Sequence, residues 1–142
     1  MATPQNQQPK NGPMSETILL DTCGLLWLAT GHKNLSENAK TRINKANLLT
    51  ISAISAWEIS LKAAKGELEL PEEPQTWFEQ VVAHHDIRVH DISTEIAFQA
   101  NRLPWHHRDP ADRFIIATAV LYRMPIVTSD SNFAQYGVEV FC

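Results

Sequence analysis

From Thr17 onward, short apolar runs alternate with segments whose apolar residues recur every three to four positions. The short runs predict strands at 18–21, 48–51, 87–90, 126–128 and 138–141. The helical periodicity predicts helices at 22–30, 36–46, 53–65, 74–84, 94–102 and 110–122, with a short turn near 131–135. Strands separated by helices imply βαβ crossovers and a mostly parallel sheet covered on both faces. The pattern is therefore that of a small, helix-rich α/β sandwich. Helix ends are well marked: Ser52 suits an N-cap, Gly66 a left-handed residue past a helix end, and Asp109-Pro110 an N-cap followed by a first-turn proline. Leu103-Pro104 closes the helix before that last one.

Length narrows the picture. The 142 residues suit one compact domain, with a radius of gyration of about 14–15 Å. Residues 1–16, rich in Pro, Gln and Asn, have little to bury and are expected to form a disordered tail, leaving 17–142 as a single domain. That tail has no apolar core and so does not read as a secretory signal. The longest strongly apolar segment, 114–122, is far shorter than the ~20 residues that span a bilayer, so no membrane is expected. Cys23 and Cys142 lie too far apart in sequence for a disulfide framework or a metal-ligand pair, which suits reduced thiols in the cytoplasm. A net charge of −4 argues against nucleic-acid binding through a global basic field. It leaves room for an acidic metal site with a local basic rim.

Of the six aspartates, Asp21 ends the first predicted strand and Asp130 follows the fourth. In open α/β sheets the functional crevice lies beyond the carboxyl ends of the strands. Each aspartate alone reads more simply as a helix cap; both in one crevice favour a site. Glu58 falls at the edge of an apolar stripe of Ile54, Trp57, Leu61 and Ala64, close to Lys62 and Lys65. It is either a half-buried acid that needs a cation or one partner of an i, i+4 pair with Lys62. Asp112 opens a helix that is apolar around nearly its whole circumference, where a functional role is favoured over a dipole contact; Asp109 beside it reads as the cap. Two carboxylates ~4 Å apart repel by about 4 kcal/mol at an effective dielectric of 20. Converging acids therefore need a counter-cation. With oxygen ligands only, that cation is Mg²⁺ or Mn²⁺, one ion or two, suited to phosphoryl chemistry.

The segments LLDT (19–22), SAWEISLK (55–62), HHRDPADRFIIATA (106–119) and IVTSD (126–130) resemble, in order and spacing, the PIN-domain nucleases. The combination of WEI, HRDPxDR and VTxD is similar to the VapC-type toxins of bacterial toxin–antitoxin modules, and the likeness runs over 18–140. The resemblance implies a three-layer α/β/α sandwich around about five short parallel strands. It implies that Asp21, Glu58, Asp112 and Asp130 are the catalytic, metal-holding acids, with Asp109 as a further ligand or a residue behind them. Thr128 and Ser129 would orient Asp130. The implied activity is Mg²⁺- or Mn²⁺-dependent endoribonuclease cleavage by a metal-activated water. The implied partners are RNA, a second copy of the chain, and a cognate antitoxin whose tail blocks the acidic cleft. Cys23-Gly24 departs from the His-Ala more usual at these positions, which bears on local packing rather than on the acids.

Arg102, Trp105, His106, His107, Arg108 and Arg113 form a local basic, aromatic stretch suited to an RNA backbone. Lys62, Lys65, Arg108 and Arg113 are the expected RNA contacts. Trp105 reads as a core residue, His106 and His107 as phosphate or metal contacts or, more simply, as exposed loop residues, and Trp27, Trp57 and Trp77 as core or dimer packing. Two other classes compete. A phosphohydrolase with Asp21 as nucleophile usually needs an acid two residues on, where Cys23 stands. A non-catalytic PIN-fold module would use the acidic cleft only to receive a basic partner.

Overall fold

A computed structural model describes residues 16–142. The expected tail lies outside them except at Glu16, whose carboxylate accepts from Arg42 at 2.6 and 3.0 Å. The Glu16 carbonyl also accepts from Asn47 and Leu48, so Glu16, placed in the expected tail, is tied into the described fold.

Every predicted element forms. The strands are β1 (Thr17–Leu20), β2 (Leu48–Ser52), β3 (Ile87–His90), β4 (Ile126–Val127) and β5 (Val140–Phe141). The helices are α1 (Thr22–Thr30), α2 (Glu37–Lys45), α3 (Ala53–Ala64), α4 (Pro74–His84), α5 (Thr94–Arg102) and α6 (Pro110–Tyr122), with a 3-10 helix over Ser131–Tyr136. Their starts follow local chemistry: Ser36, Ser52, Ser93 and Asp109 each accept a backbone N–H in the first turn behind them. Gly137, at φ +78, ends the 3-10 helix in the left-handed conformation, and β5 begins only at Val140.

The five strands are all parallel, in the order β3-β2-β1-β4-β5. Alternation along β1 sends Ile18 and Leu20 to one face and Leu19 to the other. The first face packs with Leu25, Ile43, Ile59 and Phe78 from α1, α2, α3 and α4. The second packs with Ile96, Ala100, Ile115 and Ala119 from α5 and α6. The result is an α/β/α sandwich. The chain builds outward from β1 on one side and then returns to its other side at β4. The carboxyl ends of β1 and β4 are thus neighbours where strand order reverses, the position at which open sheets leave a crevice.

Candidate active site

Asp21 and Asp130 stand at this reversal, and both are helix caps as well. Asp21 Oδ1 accepts from Gly24 N at 2.6 Å, and Asp130 Oδ1 accepts from Asn132 N at 2.9 Å. The two readings of these residues are therefore compatible: one oxygen of each caps a helix, and Asp130 Oδ2 lies 3.5 Å from His107 Nε2. Thr128 links the pair. Its hydroxyl accepts from Asp130 N at 3.1 Å and lies beside the Asp21 carboxylate, which it draws downward in pKa. Ser129, expected to help, is exposed and makes no hydrogen bond among the described residues.

Gly24 explains how Asp21 fits. A Cβ there would lie 2.8 Å from the Val127 carbonyl oxygen and 3.1 Å from Asp21 Oδ1. The first turn of α1 approaches the end of β4 too closely for a side chain, and this close approach aims the Gly24 N–H at Asp21.

Asp112 enters from the first turn of α6, where Asp109 Oδ1 accepts its N–H at 3.0 Å. Glu58 enters from α3, and both of its sequence readings hold. Its Oε2 lies 3.5 Å from Lys62 Nζ, while Oε1 is buried without a partner. The acids act on one another. Burial pushes the Asp21 carboxyl up from 3.8 to about 6; Thr128 and the Gly24 N–H oppose this, and Asp112 and Glu58 add to it. Burial likewise raises Asp112 to about 6; its bond to His107 opposes the shift, and Asp109 and Glu58 reinforce it.

The tightest group is not the expected set of four acids. It consists of His107, Asp112 and Asp130, with one ligand atom from each all within 4.8 Å of one another. His107 Nε2 is 2.7 Å from Asp112 Oδ2 and 3.5 Å from Asp130 Oδ2. Asp21 and Glu58 reach this group through their fields: one Asp21 oxygen caps Gly24 and one Glu58 oxygen faces Lys62, while Glu58 Oε1 stays buried without a partner.

His107, which the sequence left between an exposed loop residue and a phosphate or metal contact, is set against two of the candidate acids. Its N–H donates to Tyr136 Oη at 2.9 Å, its carbonyl accepts from Arg113 Nη1 at 2.9 Å, and its ring lies against Phe133. Tyr136 Oη in turn donates to the Pro104 carbonyl at 2.9 Å. The only signal for this in sequence was its place five residues before Asp112. Its anchors at 133 and 136 lie far along the chain.

Arg113 corrects the expectation of an RNA contact. It is 3% exposed. Its guanidinium donates to the carbonyls of Ala100, Leu103, Pro104 and His107 at 2.6–3.0 Å. It therefore holds the loop between α5 and α6. Trp105 is no core residue either: it is 61% exposed, with the Arg113 guanidinium 3.5 Å from its ring centroid. Trp77 is buried as expected, whereas Trp57 is 52% exposed because the inward face of α3 is carried by Ser55 and Ile59. Lys62, Lys65 and Arg108 do face solvent. Burial pushes the free Cys23 thiol up to about 11.

The donor set fits a hard divalent cation. Carboxylate oxygens dominate, a buried Glu58 oxygen lacks any partner, and burial, reinforced by neighbouring acids, holds two carboxyls well above their ordinary range.

Comparison with known proteins agrees with this architecture. The PIN domain family model matches residues 18–139. Ribonuclease VapC22 of Mycobacterium tuberculosis is 33% identical over 121 residues, covering 84% of this chain and 92% of that one. Among solved structures, VapBC2 from Rickettsia felis, crystallised with a DNA fragment from its promoter, superposes with a TM-score of 0.67 at 16% identity, covering 88% of this chain and 97% of that chain. DNA-bound VapBC from Salmonella typhimurium gives 0.64 at 22% identity, with 90% and 98% covered. A toxin–antitoxin complex from Klebsiella pneumoniae gives 0.61 at 24%, with 88% and 96% covered.

Proposed function

The chain belongs to the PIN-domain family, and from that premise we propose that it is a divalent-metal-dependent endoribonuclease, the toxin of a VapBC-type toxin–antitoxin pair acting in the cytoplasm. The observation that supports the reading is the close group of His107, Asp112 and Asp130 at the crevice, with Asp21 and Glu58 near enough for their charges to act on Asp112 and on each other, and with a buried Glu58 oxygen unpartnered. Asp21, Asp112, Asp130 and Glu58 would hold Mg²⁺ or Mn²⁺, which when bound supplies water activation and charge neutralisation at a phosphodiester.

The chain's own residues prepare the rest. Gly24 N–H and Thr128 fix Asp21, Asp109 fixes the start of α6, and His107 lies against Asp112 and Asp130. Lys62, Lys65 and Arg108, all exposed, are the cations for the RNA backbone.

An apolar groove of about 830 Å³ between α3 and α4, edged by Trp57 and Val89, offers surface for a partner chain. The antitoxin is expected to block the acidic cleft with its tail, and the toxin to pair with a second copy of itself. Among the described residues no helix is long and apolar enough to cross a membrane.

The test is cleavage of a labelled total-RNA pool by purified chain with Mg²⁺, with Mn²⁺ and with EDTA, alongside Asp112→Asn. Discrete, metal-dependent fragments lost in the variant are expected. Metal binding without cleavage by folded, antitoxin-free protein would instead favour a non-catalytic module that uses its acidic cleft for a basic partner.

A further inference from the structure

A second cavity, of about 420 Å³, opens next to the acidic site. Thr128 and Ser129, which lead directly into Asp130, form one wall, and Ser131 follows. Trp27 from α1, Asn34 from the α1–α2 loop and Cys142 at the end of β5 complete it. We propose that this cavity is a subsite for one unpaired nucleobase flanking the scissile phosphate; the proposal rests on the nuclease reading above.

The lining decides the ligand class. No charged side chain is among the lining residues, so a phosphate finds no partner there, whereas the neutral part of an RNA strand does. The Trp27 indole is half-buried and supplies a flat aromatic wall. The Asn34 amide and the Ser129 and Ser131 hydroxyls are exposed, and they make no side-chain hydrogen bond among the described residues. Together they offer donors and acceptors to the edge of a base. Splayed-out bases in single-stranded RNA are recognised by this combination of stacking and edge hydrogen bonding.

The frame is braced in advance. The His32 ring stacks on Trp27 at 5.3 Å and 18°. His32 N donates to the Trp27 carbonyl at 3.0 Å, and His32 Nδ1 accepts from Asn34 N at 3.0 Å. Cys142 Sγ donates to the Asn34 carbonyl at 3.4 Å, tying the loop to β5. None of these contacts involves a metal-holding acid. The subsite should therefore govern which bond is cut rather than whether cleavage occurs.

The experiment is sequencing of the ends that the purified full chain generates from a short randomised RNA, with the divalent ion that supports cleavage. Wild type, Asn34→Ala, Trp27→Ala and Trp27→Phe are compared, with KM and kcat measured on one preferred oligonucleotide. Asn34→Ala should flatten the base preference at one position beside the cut and leave kcat within about threefold. Trp27→Ala should raise KM roughly 5- to 100-fold, the range expected for loss of one stacked base, and Trp27→Phe should restore most of it. Trp27 also packs on the core, so Asn34→Ala, which alters only the rim, carries the test if Trp27→Ala does not fold. Unchanged base preference and KM in the folded variants, with wild-type cleavage intact, would overturn the subsite and leave the nuclease reading standing. Absence of cleavage by the wild type would overturn both.

Discussion

Asp21 shows how one side chain holds two roles. Its Oδ1 closes the first turn of α1, and the same burial that orders it drives its carboxyl up to about 6. Asp112 is raised to about 6 as well, by burial first. Between the ordinary carboxylate range and about 6, the folded metal-free protein holds protons that the unfolded chain has released. Its stability therefore falls as pH rises through that window, by at most about 3 kcal/mol for each group. His85 is lowered by burial and so works in the opposite sense. Comparing wild type with Asp21→Asn cancels that contribution. We expect a shallower loss between pH 4.5 and 7 in the variant by chemical denaturation in EDTA (a range of about 2.5 units around the cited shifts). At pH 7.5 the same variant should melt roughly 3–6 °C higher than wild type while losing RNA cleavage by at least ~100-fold. Equal pH slopes in the two proteins would show that the crowded carboxylates carry no such strain.

At the scale of elements, two close fits place the site. The first is α1 against β4. Gly24→Ala would set a Cβ 2.8 Å from the Val127 carbonyl oxygen, a backbone atom that yields only if the strand shifts. The overpacking cost of about 1–3 kcal/mol exceeds the gain in helix propensity, and activity should fall with it because Asp21 Oδ1 lies 3.1 Å from the same Cβ. Thermal denaturation and cleavage rate on Gly24→Ala check both. The second fit is the loop between α5 and α6, gathered by Arg113. Arg113→Lys keeps the charge and loses the fork that reaches carbonyls of Ala100, Leu103, Pro104 and His107. A loss of at least ~2–3 kcal/mol is expected, or a Tm drop near 10 °C. The His107 ring resonances, read by NMR, should move as its carbonyl loses a donor. An unchanged melting curve would refute a structural role for Arg113.

Across the whole molecule, the sheet order sets the ends of β1 and β4 side by side, and the α5–α6 loop and α6 bring His107 and Asp112 to Asp130. A cation binding there relieves repulsion that no single element creates, so metal and fold are linked. At pH 7.5, Mn²⁺ at ~100 times its Kd should stabilise the wild type by about 2.7 kcal/mol. Asp112→Asn should lose most of that increment. Calorimetric melting with and without the ion measures it, and an equal rise in the two proteins would place the binding elsewhere. The Arg42 cluster is separate from this linkage: it joins Glu16 and Glu139 at 2.6–3.0 Å across the chain termini and contributes to the frame alone.

Elements and caps were legible in the sequence because they depend on neighbours a few residues apart. Apolar periodicity placed all the strands and helices, and Ser52 and Asp109 marked helix starts before any tertiary contact was known. The four acids, too, could be picked out from strand ends, an edge position and an enclosed helix. What escaped the sequence depended on contacts between distant segments. His107 is set against Asp112 and Asp130 by Tyr136 and Phe133, 29 and 26 residues further along the chain. Arg113 looked like a surface cation until the returning loop enclosed its guanidinium, and Trp105 looked like core until that loop turned its carbonyls inward; Trp57, expected in core or dimer packing, lies outside the core because α3 turns Ser55 and Ile59 inward. Local chemistry along the chain determined the pieces and their chemical capacity. Only the closing of the sheet and of the α5–α6 loop decided which side chains met, because burial and charge interaction are set by distance in space rather than by separation in sequence.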